Sequence, residues 1–433
     1  MKILLYEIRK MLDFRIVAAV IFICLAVIYV VRPFNDLIYI VNSCWQADAA
    51  KAYGANISKA EREKLETELI PEYQKQIEEY IAAHEDFAKA GIKNYEDFDY
   101  FYNVTRFLSH NNYPDTKKII LEDGEYREFV EKYNITEADF REMTETEENI
   151  VLNHLAARNG RYDELLNLLE KKEEVKRAAE EYDNPDKAAN AAKSGFVAKR
   201  DKQILATNEI NNVSVEAHSV IDITTVITVI TAIAIGCVFL ILLPSVTRDN
   251  LCNMQQLQLS TKCGRRLCFK RFLAMLTVSF AVTTVFAAIT VYQMWKEVPA
   301  GLWQCRLNGF NNFMTFDYRF WFSGSLLQYT VIMGILAYLL VFASTAVICI
   351  LSHTSKNYIQ LILKSLPFAA LFAASPLAFI RCAMCYSADN EAGNFSTFIE
   401  VPYIDVVLCV AFFVLCIFLF VWYNKKLKIR DIF

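Results

Sequence analysis

Histidine, proline and glycine are scarce in this chain, at 5, 9 and 12 of 433 residues. So few imidazoles leave little acid–base chemistry near neutral pH. No Gly-x-x-x-x-Gly-Lys-Ser/Thr run occurs, which excludes the usual backbone cradle for nucleotide phosphates. Gly-x-Ser-x-Gly and His-Glu-x-x-His are missing as well, and within residues 33–218 no cysteine pairs with a plausible histidine. The expectation is a chain that is not an enzyme, with no catalytic or metal residues and no cofactor of its own. The formal net charge of −4 lacks the basic excess of a nucleic-acid partner.

What is present is apolar: 55% of the residues are hydrophobic. Runs close to the 20 or so residues that cross a hydrocarbon core of roughly 30 Å occupy 16–31, 220–243, 272–295, 326–351, 358–380 and 404–422. No small-residue cleavage site follows the first run, which reads as an uncleaved anchor. The expected fold class is an all-α polytopic membrane protein with six transmembrane helices and a mainly helical extracellular domain. Basic residues set the orientation, because Lys and Arg in short connections resist translocation. Segments 1–15, 246–271, 352–357 and 423–433 hold 15 Lys or Arg together, against four in 294–325 and 381–403. Both termini are therefore expected in the cytoplasm, with 423–433 as a tail, and the membrane is read as a bacterial plasma membrane.

That alternation puts residues 33–218 outside, where the composition shifts to 24 Lys or Arg against 38 Asp or Glu. Within it, Ser58 and Glu61 form a capping box, and Leu65, Leu69, Tyr73, Ile77, Tyr80, Ile81 and Phe87 follow helical spacing over 58–92. Pro71 is expected to kink that helix or start another. The aromatic, Asn-rich stretch between Gly91 and Gly124 reads as irregular. Thr136 and Asp139 cap a further helix with Ile150, Val151 and Leu155 on its apolar face; another runs to about Tyr182, with a turn at Asn184-Pro185 and an Ala-rich helix beyond. Acidic runs at 145–148 and 170–174 are solvated faces. Asn56, Asn103, Asn134, Asn212 and Asn394 match the glycan acceptor pattern and all fall outside.

Most of the twelve cysteines lie in spans or on the cytoplasmic side and read as small packing residues; Cys44, Cys305, Cys382 and Cys385 face outward. "CAMC" at 382–385 has no second pair to complete a zinc site. Asp222 and Asp405 sit near outer span ends, Lys364 is placed to snorkel to the cytoplasm, and Pro367 and Pro376 are expected to kink the fifth span. The threonines of 224–231 and 277–290 read first as serving close helix packing, with the lining of a cavity as the alternative, and the aromatics of 310–322 read as an interfacial belt. None is read as a substrate site.

Between the second and third runs lies "RDNLCNMQQLQLSTKCGRRLCFKRF", with six Lys or Arg and one Asp. Positive-inside bias explains the charges but not the apolar Leu251, Met254, Leu257 and Leu259, nor the helix break at Ser260 and Gly264. A short helix, a turn and a helix entering the membrane make a compact cytoplasmic knob suited to docking. At the N-terminus, Leu4, Ile8, Met11 and Leu12 form one face of an interfacial helix over 1–15.

Asp249, Leu257, Leu259, Ser260, Thr261, Arg265 or Arg266 and Lys270 give this chain its resemblance to the type-2 permease superfamily of ABC transporters. That superfamily typically has six spans, an amphipathic helix before the first and a cytoplasmic loop of this pattern between the second and third. Here Cys252 or Asn253 stands where glycine is usual, and "TKCG" replaces a proline. The likeness covers everything but the external insert, some 250 residues. It implies a coupling loop over 246–271, in which Asp249, Leu257, Leu259, Ser260, Thr261, Gly264, Arg265 and Arg266 seat in a separate cytoplasmic ABC ATPase dimer that holds the ATP and Mg. It also implies a second permease subunit, identical or homologous, and membrane lipid as partners. The function expected is export of an amphipathic, peptide or lipid-like substrate. The alternative is a non-transporting scaffold or receptor of the same superfamily with an external helical stalk. A sensor kinase is disfavoured, because the 11 residues after the last run leave no room for one.

Overall fold

A computed structural model of the chain describes, apart from single positions within these ranges, residues 2–31, 45–110, 131–133, 162–182, 195–251, 267–309, 318–379, 385–387 and 403–429, together with Asn312. In chain order the helices are α1 (Lys2–Met11), α2 (Phe14–Val31), α3 (Trp45–Tyr53), α4 (Lys59–Lys64), α5 (Ile70–Ala83), α6 (Glu85–Lys89), α7 (Tyr95–His110), α8 (Tyr162–Tyr182) and α9 (Gly195–Ala206). They continue with α10 (Ala217–Leu251), α11 (Leu267–Glu297), α12 (Leu326–Thr354), α13 (Tyr358–Phe379) and α14 (Ile404–Ile429). Two three-residue strands, β1 (Tyr318–Phe320) and β2 (Cys385–Ser387), pair antiparallel, so the two connections they belong to are joined by a short ribbon in an otherwise helical chain.

Helices α10 to α14 are each long and apolar enough to cross a membrane. Two of them run well past the apolar segments that mark them in the sequence: α10 to Leu251 and α14 to Ile429. Hydropathy ends where hydrocarbon ends, whereas helix hydrogen bonding continues into the headgroup layer. The first apolar run forms α2, 18 residues long, whose apolar stretch among the described residues is Val17–Ala26. Helix α12 is the hub, packing against α10, α11, α13 and α14. Small residues on it, Ala337, Ala343, Ser344, Thr345 and Ala346, are buried and let neighbouring backbones approach. Helix α13 runs through both Pro367 and Pro376. Pro376 cannot donate to the carbonyl of Phe372, and the hydroxyl of Ser375 donates to it instead at 2.8 Å, replacing the lost bond.

Two compact units divide the chain: Met1–Asn56 with Pro185–Phe433, and Ile57–Asn184. The separate unit within residues 33–218 is thus Ile57–Asn184, and the flanking α3 and α9 belong with the apolar helices. In the Ile57–Asn184 unit the expected stripe is observed: Leu65, Leu69, Tyr73, Ile77, Ile81 and Phe87 are buried and Tyr80 is half-buried. A π turn at Leu65–Leu69 joins α4 to α5, and Pro71 falls at the start of α5, where a missing N–H is tolerated. Ser58 and the helix expected after Thr136 lie outside the described residues.

The stretch after Gly91 is a correction. It is not irregular: Tyr95–His110 is a helix, capped by Asn94 Oδ1, which accepts from the N–H of Asp97 at 2.8 Å. Its Phe98 and Phe101 interleave with Tyr133, Leu165 and Leu169. Aromatic density masked a helical spacing of three. Helix α8 ends at Tyr182, as the sequence indicates; the turn and the Ala-rich segment that follow lie outside the described residues.

Candidate functional site

A cleft opens between α10, α11 and α12, with a cavity volume of about 90 Å³. Ile227, Ala234, Phe286, Met294, Gly334 and Tyr338 are among its walls. Four threonines also line it, and each turns its hydroxyl onto its own helix: Thr231 donates to Ile227 O at 2.7 Å, Thr283 to Ser279 O at 2.8 Å, Thr290 to Phe286 O and Thr330 to Leu326 O at 2.9 Å. With their hydrogen bonds satisfied within the backbone, these residues present methyl groups, so a wall that looks polar in sequence is apolar in chemistry. The packing role expected of the threonine stretches holds also at Ser279 and Thr345, whose hydroxyls meet at 2.7 Å, and at Thr224 and Tyr329, at 2.9 Å.

Val291 lines the cleft and is also 56% exposed, so the cavity opens sideways, beside the exposed Tyr292 and Trp295. A Cβ built on Gly334 meets nothing within 4 Å, which makes this glycine part of the void. The lining uses the first half of α10, the second half of α11 and the opening turns of α12. All three lie toward the same end of the bundle, the end carrying the α11–α12 connection.

That end is closed by a polar cap that the sequence does not announce. Asn308 donates to the carbonyls of Phe320 and Phe322 and accepts from Phe320 N–H, while Asn312 donates to Val215 O and Leu307 O. Arg200 on α9 pairs with Glu209 at 2.9 Å and donates to Ser323 Oγ at 2.8 Å. Phe320 and Trp321 are buried in this cap, which corrects the expectation of an interfacial belt for this part of 310–322: their rings serve packing in a folded connection. Asn212, one of the glycan-pattern residues, is buried here too and donates to Asn308 O. Cys305 is a buried, free thiol pushed up to about 12 by burial, in keeping with a neutral packing residue.

At the opposite end α1 packs against α11 and α10. Met11 is buried and Leu4 and Ile8 half-buried, as the amphipathic pattern requires, but Leu12 is exposed. The buried face also includes Glu7, whose Oε2 accepts from Arg271 Nε on α11 at 3.2 Å. This ion pair bridges 264 positions of sequence, which is why no local pattern reveals it. Lys364 turns back toward this end and donates to Thr354 O at 3.1 Å, the direction expected of a snorkelling lysine.

Of the residues assigned to coupling, Asp249 falls on the final turn of α10. Leu257, Leu259, Ser260, Thr261, Gly264, Arg265 and Arg266 lie outside the described residues, as do Cys44 and Cys382. Outside the 33–218 segment the structure brings together a pair that the sequence reasoning missed: Cys268 Sγ lies 3.5 Å from His353 Nε2. The legible signal was the spacing of Cys349 and His353, one helical turn apart within a span. Compared with protein-family models, with curated proteins and with solved structures, the chain matches none.

Proposed function

We propose that this chain is the permease subunit of an ABC exporter, moving an amphipathic substrate by way of the lateral cleft. The observation that carries the reading is the cleft's chemistry: apolar walls, threonine hydroxyls turned away, and an opening at Val291 onto an exposed apolar surface. Such a slot receives an acyl chain, an isoprenoid or an apolar peptide face, and offers little to a hydrated solute. The docking of α1 beside the root of the 252–266 loop agrees with the resemblance drawn from that loop.

In this reading α2 is the sixth crossing, both termini are cytoplasmic, the Ile57–Asn184 unit is extracellular, and the membrane is a bacterial plasma membrane. The loop then engages a cytoplasmic ATPase dimer, which supplies ATP and Mg chemistry, and two permeases complete the assembly. Nucleotide-driven closure of the motors alters the interface between permeases, a rigid-body switch.

The test is reconstitution of the chain with its partner ATPase in lipid vesicles. Lipid or lipopeptide should stimulate ATP hydrolysis, and Gly334→Leu, which fills the void without a steric cost at Cβ, should abolish the stimulation while leaving basal hydrolysis intact. Failure of the chain to retain any nucleotide-binding partner would favour the second reading, a scaffold or receptor. That reading draws on the separate hydrophobic core of the Ile57–Asn184 unit.

A further inference from the structure

Three soft metal ligands converge where α11 begins and α12 ends. Cys349 and His353 stand one turn apart on α12, so both side chains leave the same face. Cys268, in the first turn of α11, stands opposite. Its Sγ is 3.5 Å from His353 Nε2, and the three ligand atoms lie within 4.8 Å of one another. In a tetrahedral zinc site, bonds of about 2.0 to 2.3 Å place ligand atoms about 3.5 to 3.8 Å apart. Small side-chain rotations close the difference.

We propose that Cys268, Cys349 and His353 bind a zinc ion, with the fourth coordination position open. Charge selects the metal. Two thiolates and a neutral imidazole make a doubly negative set, which a divalent d¹⁰ ion neutralises; a monovalent copper ion would leave a net negative charge where both sulfurs are buried. His353 is only half-buried, which leaves a path for the ion from the aqueous end of the bundle. The ion would pin the start of α11 to the end of α12, next to the docked α1. This site is independent of the cleft and of the transport reading.

The experiment is elemental analysis of the full chain purified in detergent without added metal. The expected result is about one zinc per chain, lost in Cys349→Ala and in His353→Ala and kept in Cys237→Ala and Cys416→Ala, which remove buried cysteines elsewhere. Because a ligand variant can fail to fold, the native chain is also stripped with a chelator and loaded with Co²⁺. A thiolate-to-cobalt charge-transfer band that zinc bleaches supports the site. A Cys268–Cys349 disulfide in the purified chain, copper in place of zinc, or no cobalt band from a folded chain would each overturn it.

Discussion

Among single residues, Glu7 and Arg271 bear most on how the α1 end of the bundle is assembled. Both are almost fully buried, and each compensates the other's charge. Removing one partner leaves an uncompensated buried charge, which costs about 3–5 kcal/mol. Glu7→Gln should therefore lower the thermal unfolding midpoint in detergent sharply, whereas Glu7→Leu with Arg271→Met should recover much of the loss, as read by fluorescence-detected unfolding. A different pair governs acid sensitivity in the Ile57–Asn184 unit. Burial pushes the Asp97 carboxyl up, but hydrogen bonds from Lys132 and the Lys93 backbone, with the Lys132 charge, outweigh it and hold the carboxyl below its usual range. A depressed folded value means that the stabilisation is complete above the unfolded carboxylate's pKa of about 3.9 and disappears as pH falls through the lower folded value. Hydrogen-exchange protection factors across Tyr95–His110, taken relative to the slower intrinsic exchange in acid, should fall below about pH 4, and Lys132→Met should weaken that dependence. The pair is partly exposed, so the effect is small and screened by salt.

At the level of elements, the cap is held by close backbone approach. A Cβ on Gly301 would stand 2.3 Å from the Ala47 carbonyl oxygen on α3, and one on Gly309 would stand 2.2 Å from Asn212 O. Neither neighbour is a flexible side-chain end, so Gly301→Val should displace α3 and Gly309→Val the strand-like segment at Asn212. Limited proteolysis of the intact chain should show new cleavage near 45–56 for the first and near 207–216 for the second. These contacts also mark what the sequence could tell. Five spanning helices were readable from apolar runs, and the α4–α6 stripe from three- and four-residue spacing, because both signals are local. The Asn308 and Asn312 network, the Glu7–Arg271 pair and the approach of Cys268 to His353 join segments tens to hundreds of residues apart, and nothing in a local window encodes such meetings. The cleft was legible only as the second reading of its threonines: Thr231, Thr283 and Thr290 line it, and the back-bonding that satisfies their hydroxyls leaves an apolar wall where three helices part.

For the whole molecule, the proposed mechanism needs the 252–266 loop and the open end of the cleft to lie on opposite sides of the membrane. Helix α10 makes the geometry explicit. Its cleft residues Ile227 and Ala234 precede Leu251 by 24 and 17 positions (251−227 and 251−234), which at about 1.5 Å per residue separates them from the loop by about 36 and 26 Å along the helix. A motor gripping the loop therefore acts on the cleft through α10 and α11 as rigid rods. In a variant whose only cysteine is Cys252, a membrane-impermeant maleimide should label intact cells weakly and opened cells strongly; strong labelling of intact cells would place the loop outside and end the transport reading. If the loop is inside, Leu257→Asp should uncouple substrate-stimulated ATP hydrolysis in the reconstituted complex without changing the amount of folded permease recovered. Gly334→Leu should give the same loss of stimulation from the far end, with the ATPase still bound. Two substitutions, one in the 246–271 segment and one in the cleft, the first weakening motor attachment and the second not, would separate a coupling defect from a substrate defect. A Leu257→Asp chain that retains full stimulation would show that the drive enters elsewhere.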